Sequence, residues 1–295
     1  MPLNRRTFIN TSAATVAATS LLPSVTTADD KQAETPMSIY KSIKMGMFRE
    51  KISLEEKFQI LKDLGYDGIE LNSPGGVDKK EALAASDKVG LPIHGVVDSI
   101  HWRVRLSDPD PQVRQKGLEG LLTAIQDAYA VRGSAALLVP GKVTNDKTEN
   151  HDQVWERSIE QIRKAIPLAS KLGIRILIEN VWNGFCYDPK QLADYIDEIN
   201  SPWVGVYFDI GNHRKYGKPE DWIRTLGSRI AKLDVKDWGQ ANGFCKIGEG
   251  DVDWAEVRKA LKDIGYSGWA TAEVRGGNRD RIKEVKENMD AALGA

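Results

Sequence analysis

Arg175-Ile-Leu-Ile-Glu-Asn180 follows Lys171-Leu172-Gly173, and its apolar run ends abruptly on a carboxylate and an amide. A buried parallel strand reads this way, apolar through the sheet with a functional group at its C-terminal end. Three later segments have the same form: Val204-Gly-Val-Tyr-Phe-Asp209, Ile230-Ala-Lys-Leu-Asp-Val-Lys-Asp237 and Trp269-Ala-Thr-Ala-Glu-Val-Arg275. Four strands that each end in an acid predict one shared site, with Glu179 as its first candidate.

Outward from these four, short apolar runs recur at 43–48, 68–71, 92–97, 135–139, 174–179, 203–209, 229–236 and 269–274. Between them, helical spacing covers 54–64, 78–89, 111–131, 151–172, 189–199, 219–226, 253–264 and 278–293. Gly65, Gly90, Gly173 and Gly265 stand where left-handed helix caps are expected before short loops. Strict alternation of eight strands and eight helices predicts an α/β fold, a single (β/α)8 barrel over residues 42–295.

The 295 residues are 41% hydrophobic and 28% charged, enough for one large core. A formal net charge of -1 gives no field to recruit nucleic acid or an anionic membrane, so a small polar molecule is the expected partner. Two cysteines, Cys186 and Cys245, and four histidines do not make a Cys/His zinc cluster at the usual spacings, so any metal must be held largely by oxygen. Both cysteines fall on rim loops, where pairing is open.

Asn4-Arg5-Arg6-Thr7-Phe8-Ile9-Asn10 resembles a twin-arginine export signal, with a weakly apolar stretch to Leu22 and a small-residue site at Thr26-Thr27-Ala28. It is too short and polar to anchor the chain stably in a bilayer. Residues 1–28 are therefore expected to engage the twin-arginine machinery and be removed, residues 29–41 to be a polar linker, and the mature protein to be periplasmic or otherwise exported.

In a barrel of this kind functional groups lie at the C-terminal strand ends, and side chains alternate between lumen and helix layer. Leu233 and Val235 suit the helix layer, which places Lys232, Asp234 and Lys236 inward; the same parity sets Thr271, Glu273 and Arg275 inward. Glu179, Asp209, Asp234 and Glu273 then share one mouth. Four carboxylates so close need a divalent cation or nearby ammonium and guanidinium groups. Oxygen ligation favours Mn²⁺ or Mg²⁺, with Co²⁺ or Zn²⁺ as alternatives.

Glu179-Asn180, Phe208-Asp-Ile-Gly-Asn212, Val235-Lys-Asp237, Gly248-Glu-Gly-Asp-Val-Asp-Trp254 and the strand bearing Glu273 resemble the xylose isomerase-like superfamily of sugar (phosphate) isomerases and epimerases, from about residue 43 to 290. The resemblance implies a metal held by Glu, Asp, His and Glu from the fifth to eighth strands. Glu179, Asp209 and Glu273 match; Asp234 stands where relatives often carry the histidine. It also implies proton transfer beside a carbonyl through an enediolate, with Glu179 and Glu273 as base and acid on opposite sides of the carbon. Lys236 and Arg275 would orient hydroxyls or offset charge.

Weaker candidates for substrate contact are His94 on the third strand, His101-Trp102 in the loop after it, Trp182-Asn183 after Glu179, His213 after Asn212, and Glu70 ending the second strand. His94 reads equally as a core histidine, His213 as an outer partner or replacement ligand, and Glu70 as the partner of a lumen cation. Gly248-Glu-Gly250 reads as a rim loop with a weak anion-site signal. The reading favoured is a metal-dependent sugar or keto-sugar epimerase or isomerase. A keto-sugar or inosose dehydratase or lyase, and a non-catalytic periplasmic carbohydrate-binding barrel, are the alternatives.

Overall fold

The computed structural model describes residues 38–294; the proposed signal lies outside them, as does nearly all of the proposed linker. In chain order the elements are β1 (Ile39–Lys44), α1 (Leu54–Asp63), β2 (Gly68–Ser73), α2 (Lys79–Val89), β3 (Ile93–Asp98), α3 (Pro111–Ala130), β4 (Ala135–Leu138), α4 (His151–Leu172), β5 (Arg175–Ile178), α5 (Pro189–Ile199), β6 (Val204–Asp209), α6 (Ile210–Arg214), α7 (Pro219–Leu226), β7 (Ile230–Val235), β8 (Asp237–Gly239), β9 (Gly243–Cys245), α8 (Trp254–Asp263), β10 (Gly268–Ala272) and α9 (Arg279–Leu293). Eight parallel strands close a barrel in the order β1-β10-β7-β6-β5-β4-β3-β2, and β8 and β9 form a separate antiparallel hairpin.

Local chemistry sets the helix ends. Ser53 and Asn150 build capping boxes on α1 and α4, and Asp78, Asp110 and Asp188 cap α2, α3 and α5. Gly65, Gly90, Gly173 and Gly265 all have positive φ, from 64° to 83°, as the left-handed caps require.

Alternation along the strands divides the interior. Ile176 and Ile178, Val206 and Phe208, Leu233 and Val235, Ala270 and Ala272 point outward into the main core against the helices. Leu177, Tyr207, Ala135 and Leu137 form a small apolar plug of their own. The inward parity that buries Leu177 and Tyr207 carries Glu179 and Asp209, two residues on, to the barrel mouth.

Strand β1 differs from expectation: it runs from Ile39 to Lys44, not from 43 to 48, and so takes in residues 39–41 of the expected linker. Met45–Met47 form a 3-10 turn, with Met45, Met47 and Phe48 buried. The Gly277 N–H donates to the Met47 carbonyl, and the Arg49 N–H to that of Gly277. The apolar run after Lys44 therefore reports burial under the β10–α9 loop rather than extended backbone. The same loop corrects Arg275. Strand β10 stops at Ala272, and the exposed Arg275 lies beyond it, outside the inward parity.

Candidate active site and metal centre

Four strand ends converge. Glu179 follows β5, Asp209 closes β6, Asp234 lies in β7 and Glu273 follows β10; one ligating oxygen of each lies within 4.8 Å of those of the others. Asp209 also caps α6: its Oδ1 accepts from the Asn212 N–H at 2.8 Å, which leaves Oδ2 for the cluster. Asn212 in turn donates through Nδ2 to Glu179 Oε1 at 3.1 Å. One turn of helix thus positions two of the four acids.

Ammonium groups stand among them. Lys44 Nζ lies 2.9 Å from Asp234, 3.1 Å from Glu273 and 3.9 Å from Glu70. Lys236 Nζ lies 2.8 Å from Asp209 and 2.6 Å from Glu273. Burial pushes Glu179 up to about 8, with the charge on Glu273 adding to it. Burial also raises Asp209 and Asp234, although Lys236 and Lys44 respectively oppose it. Glu273 goes the other way: burial works against its ionisation, but Lys44 and Lys236 overcome that and hold it at about 2. The two acids expected to act as a pair have sharply different environments.

The cluster fits a divalent cation. Asp209 Oδ2, Asp234 Oδ1, Glu273 Oε2 and Glu70 Oε2 are buried without a directed hydrogen bond, although Lys236 stands near two of them. Counting Lys232 deeper in the lumen, five carboxylates face three ammonium groups, an excess of two negative charges when all are ionised. Glu179, Asp209, Asp234 and Glu273 can therefore hold a metal ion, with Asp234 as an oxygen donor already paired to Lys44.

The family model for the xylose isomerase-like TIM barrel matches residues 58–293. The chain belongs to this family. Its relatives include L-ribulose-5-phosphate 3-epimerase UlaE of Escherichia coli, 25% identical over 247 residues that cover 77% of this chain and 86% of that protein. An uncharacterised Methanocaldococcus jannaschii protein, MJ1311, is 27% identical over 189 residues, which span 61% of this chain and 64% of its own length. Among solved structures, a D-tagatose 3-epimerase-like protein superposes with a TM-score of 0.75 at 20% identity, covering 86% of this chain and 97% of that one. The IOLI protein with a bound zinc atom superposes at 0.74 and 13% identity, covering 86% and 98%. At these identities the two structures establish the fold.

On this family barrel the remaining candidates separate by depth. His94 sits in the lumen, where its Nε2 meets Ser42 Oγ at 2.9 Å and Thr271 Oγ1 at 3.2 Å, its Nδ1 meets Lys232 Nζ at 3.0 Å, and its ring stacks on Trp269. It is the core histidine of the two readings, and burial, then Lys232, depresses it well below its ordinary pKa. Glu70 accepts from Tyr207 at 3.0 Å and faces Lys44, as a partner of lumen cations. His213 is fully buried; its Nδ1 meets the Asp209 carbonyl at 2.6 Å and its ring stacks on Phe208. That bond turns the imidazole away from the carboxylates, so His213 supports Asp209 and does not replace a ligand.

Asn183 is likewise committed to its loop, donating to the Gly141 carbonyl and accepting from the Phe185 N–H. His101 is buried, and its Nδ1 accepts from the Val139 N–H at 3.3 Å. Trp102, 52% exposed, packs edge-on against it. Trp182, 37% exposed, donates to the Asn212 carbonyl, stacks on Phe244 at 4.7 Å and carries Lys215 over its ring. Of the candidate aromatics, Trp182 is thus tied directly to the α6 turn that holds Glu179 and Asp209.

Sequence reading missed Lys44, Asn212, Tyr207 and the β8–β9 hairpin. Lys44 was legible by the parity used on β7, since Ser42 and Lys44 alternate with the outward Ile43. The Gly248–Gly250 loop is no anion site for a ligand. Asp237 fills it, accepting from the N–H groups of Trp238, Gly248 and Val252 and from the Trp254 indole. Cys186 and Cys245 are both free thiols. Beside the carboxylates, a cavity of about 520 Å³ opens between Lys236 and Glu273 on one side and Lys246, Arg275 and Arg281 on the other, with Phe244 on its wall.

Proposed function

We propose that the chain is a metal-dependent epimerase or isomerase of a sugar or keto-sugar that moves a proton at the carbon beside a carbonyl. The observation that carries this is the convergence of Glu179, Asp209, Asp234 and Glu273 within 4.8 Å. Family membership and the epimerase relatives support an isomerase-type enzyme.

The four carboxylates would hold the ion, Mn²⁺ or Mg²⁺ by the hardness of an all-oxygen set. A bound divalent ion polarises a carbonyl oxygen and acidifies the neighbouring C–H. Glu179 and Glu273 then exchange the proton at that carbon through carboxyl oxygens, one taking it and the other returning it, so that the substrate passes through its enediolate. Asn212 fixes the Glu179 carboxyl, while Lys44 and Lys236 fix that of Glu273. Trp102 offers an apolar face to a sugar ring, whereas the Trp182 ring is already taken by Phe244 and Lys215.

The test is elemental analysis of protein purified without chelator, wild type and Asp234→Ala in parallel, followed by a screen of free ketoses and keto-sugars with product analysis. About one divalent ion per chain, lost in the variant, and an epimerised product are expected. An eliminated product would make the enzyme a lyase, and absence of metal from both proteins would overturn the metal-dependent reading. We further propose export through the amino-terminal Arg5-Arg6 segment, tested by fractionating cells that express the full chain or Arg5→Lys/Arg6→Lys; retention of only the variant inside is expected.

A further inference from the structure

We infer that the cavity beside the carboxylate cluster receives the far end of the substrate, and that this far end is an acid group, a carboxylate or a phosphate on the sugar. The inference rests on the reading of the cluster as the reacting centre. Lys236 and Glu273 belong both to the cluster and to the cavity wall, so the two spaces are continuous. At about 520 Å³ the cavity falls within the roughly 300–1,000 Å³ that enclose drug-sized ligands, more room than one small ring needs.

Its two ends differ in charge. The inner end carries the excess negative charge of the metal-binding acids. The outer end carries Arg275, Arg281 and Lys246, and Glu284 contacts both Arg281 and Lys246 at 2.6 Å. Asp237 also lines the cavity, but its two oxygens are taken up by three backbone N–H groups and an indole. Asp237 keeps its charge and Glu249 lies 3.8 Å from Lys246, so the acids at this end offset Arg281 and Lys246, while among the described residues no carboxylate is in ion-pair contact with the Arg275 guanidinium.

Arg275 is also held in place. Its carbonyl accepts from Arg281 Nε at 3.0 Å, and the next residue, Gly276, lies so close to the Met47 backbone that a Cβ there would clash with the Met47 carbonyl. Gly277 is hydrogen-bonded to the same turn. A guanidinium on a pinned loop, facing a cavity whose other end binds a cation, matches a substrate with a polar reacting end and an anionic tail.

The experiment measures binding of D-fructose, D-fructose 6-phosphate and D-fructuronate to the Mn²⁺-loaded protein by calorimetry, for wild type and Arg275→Leu. At least one acid is expected to bind wild type about ten-fold tighter than D-fructose, with the ratio falling towards one in the variant and at high salt. Preference for the phosphate alone, for the uronate alone, or for both identifies the source of the anion. Equal binding of all three to wild type, or an acid preference that survives Arg275→Leu, overturns the inference while the keto-sugar reading stands. Failure of all three to bind metal-loaded protein overturns both.

Discussion

Lys44 Nζ, at the end of β1, lies 2.9 Å from Asp234 Oδ2 on β7, and together the two residues carry no net charge. The resemblance to the epimerases places a histidine ligand where Asp234 stands, and a neutral imidazole contributes no net charge either. The Lys44–Asp234 pair thus supplies a donor oxygen at the same net cost in charge. That solution leaves an ammonium beside the proposed metal ligands.

From this pair follows the first prediction. Lys44→Met removes one positive charge next to four ligands, so Mn²⁺ affinity should rise about ten-fold or more, as read by calorimetry at neutral pH. Asp234→His alone sets an imidazole beside an ammonium that has lost its nearest carboxylate and keeps Glu273 and Glu70; it should weaken Mn²⁺ binding, and adding Lys44→Met should recover most of the loss. Additive effects of the two changes would show that the residues are not coupled.

Glu179 is held by Asn212 and faces Glu273 across the cluster. Glu179→Gln preserves shape and hydrogen bonding but cannot exchange a proton, so turnover of any ketose substrate should fall by about 10²–10⁴-fold with the circular dichroism spectrum unchanged. Full activity in the variant would remove Glu179 from the chemistry.

His101 provides a pH test of stability. Burial, then the charge of Lys44, lowers it to about 3, while Glu273 works in the opposite direction. Because the unfolded chain takes up this proton near pH 6.5 and the folded chain only near pH 3, the stabilisation is complete above about pH 6.5 and is lost as pH falls through the interval. Between pH 7 and pH 5 the loss should be about 2 kcal/mol for this residue. Urea unfolding of wild type and His101→Gln at both values checks it, since the wild type should lose more on acidification by that amount.

Asp237 organises the loop behind the cavity through four donors. Asp237→Ala should cost about 3 kcal/mol or more, because buried N–H groups and an indole lose a charged acceptor together. Faster proteolysis within residues 240–252 at unchanged far-ultraviolet circular dichroism would accompany the lower urea midpoint. An unaltered midpoint would mean that the glycines of the loop satisfy these groups without the carboxylate.

The sequence by itself determined the barrel. Segments such as 175–178 and 204–209 are apolar on both faces, and only a strand with helices outside and a filled lumen within can bury both. It also determined which four acids meet, because parity along a strand and position at its end are both properties of the local chain. What needed the tertiary structure was everything set by packing between distant segments. Met45–Met47 look like strand but turn because Gly276 and Gly277 close over them, and Arg275 leaves the lumen for the same reason. His94 and His213 are fixed as internal by partners on other segments: Ser42 and Thr271 for the first, Asn180 and Trp222 for the second. The charge state of the site belongs to this second class, because Glu179 and Glu273 are the same residue type. Their carboxyls differ because Glu179 is the more deeply buried, while Lys44 and Lys236 contact Glu273 directly.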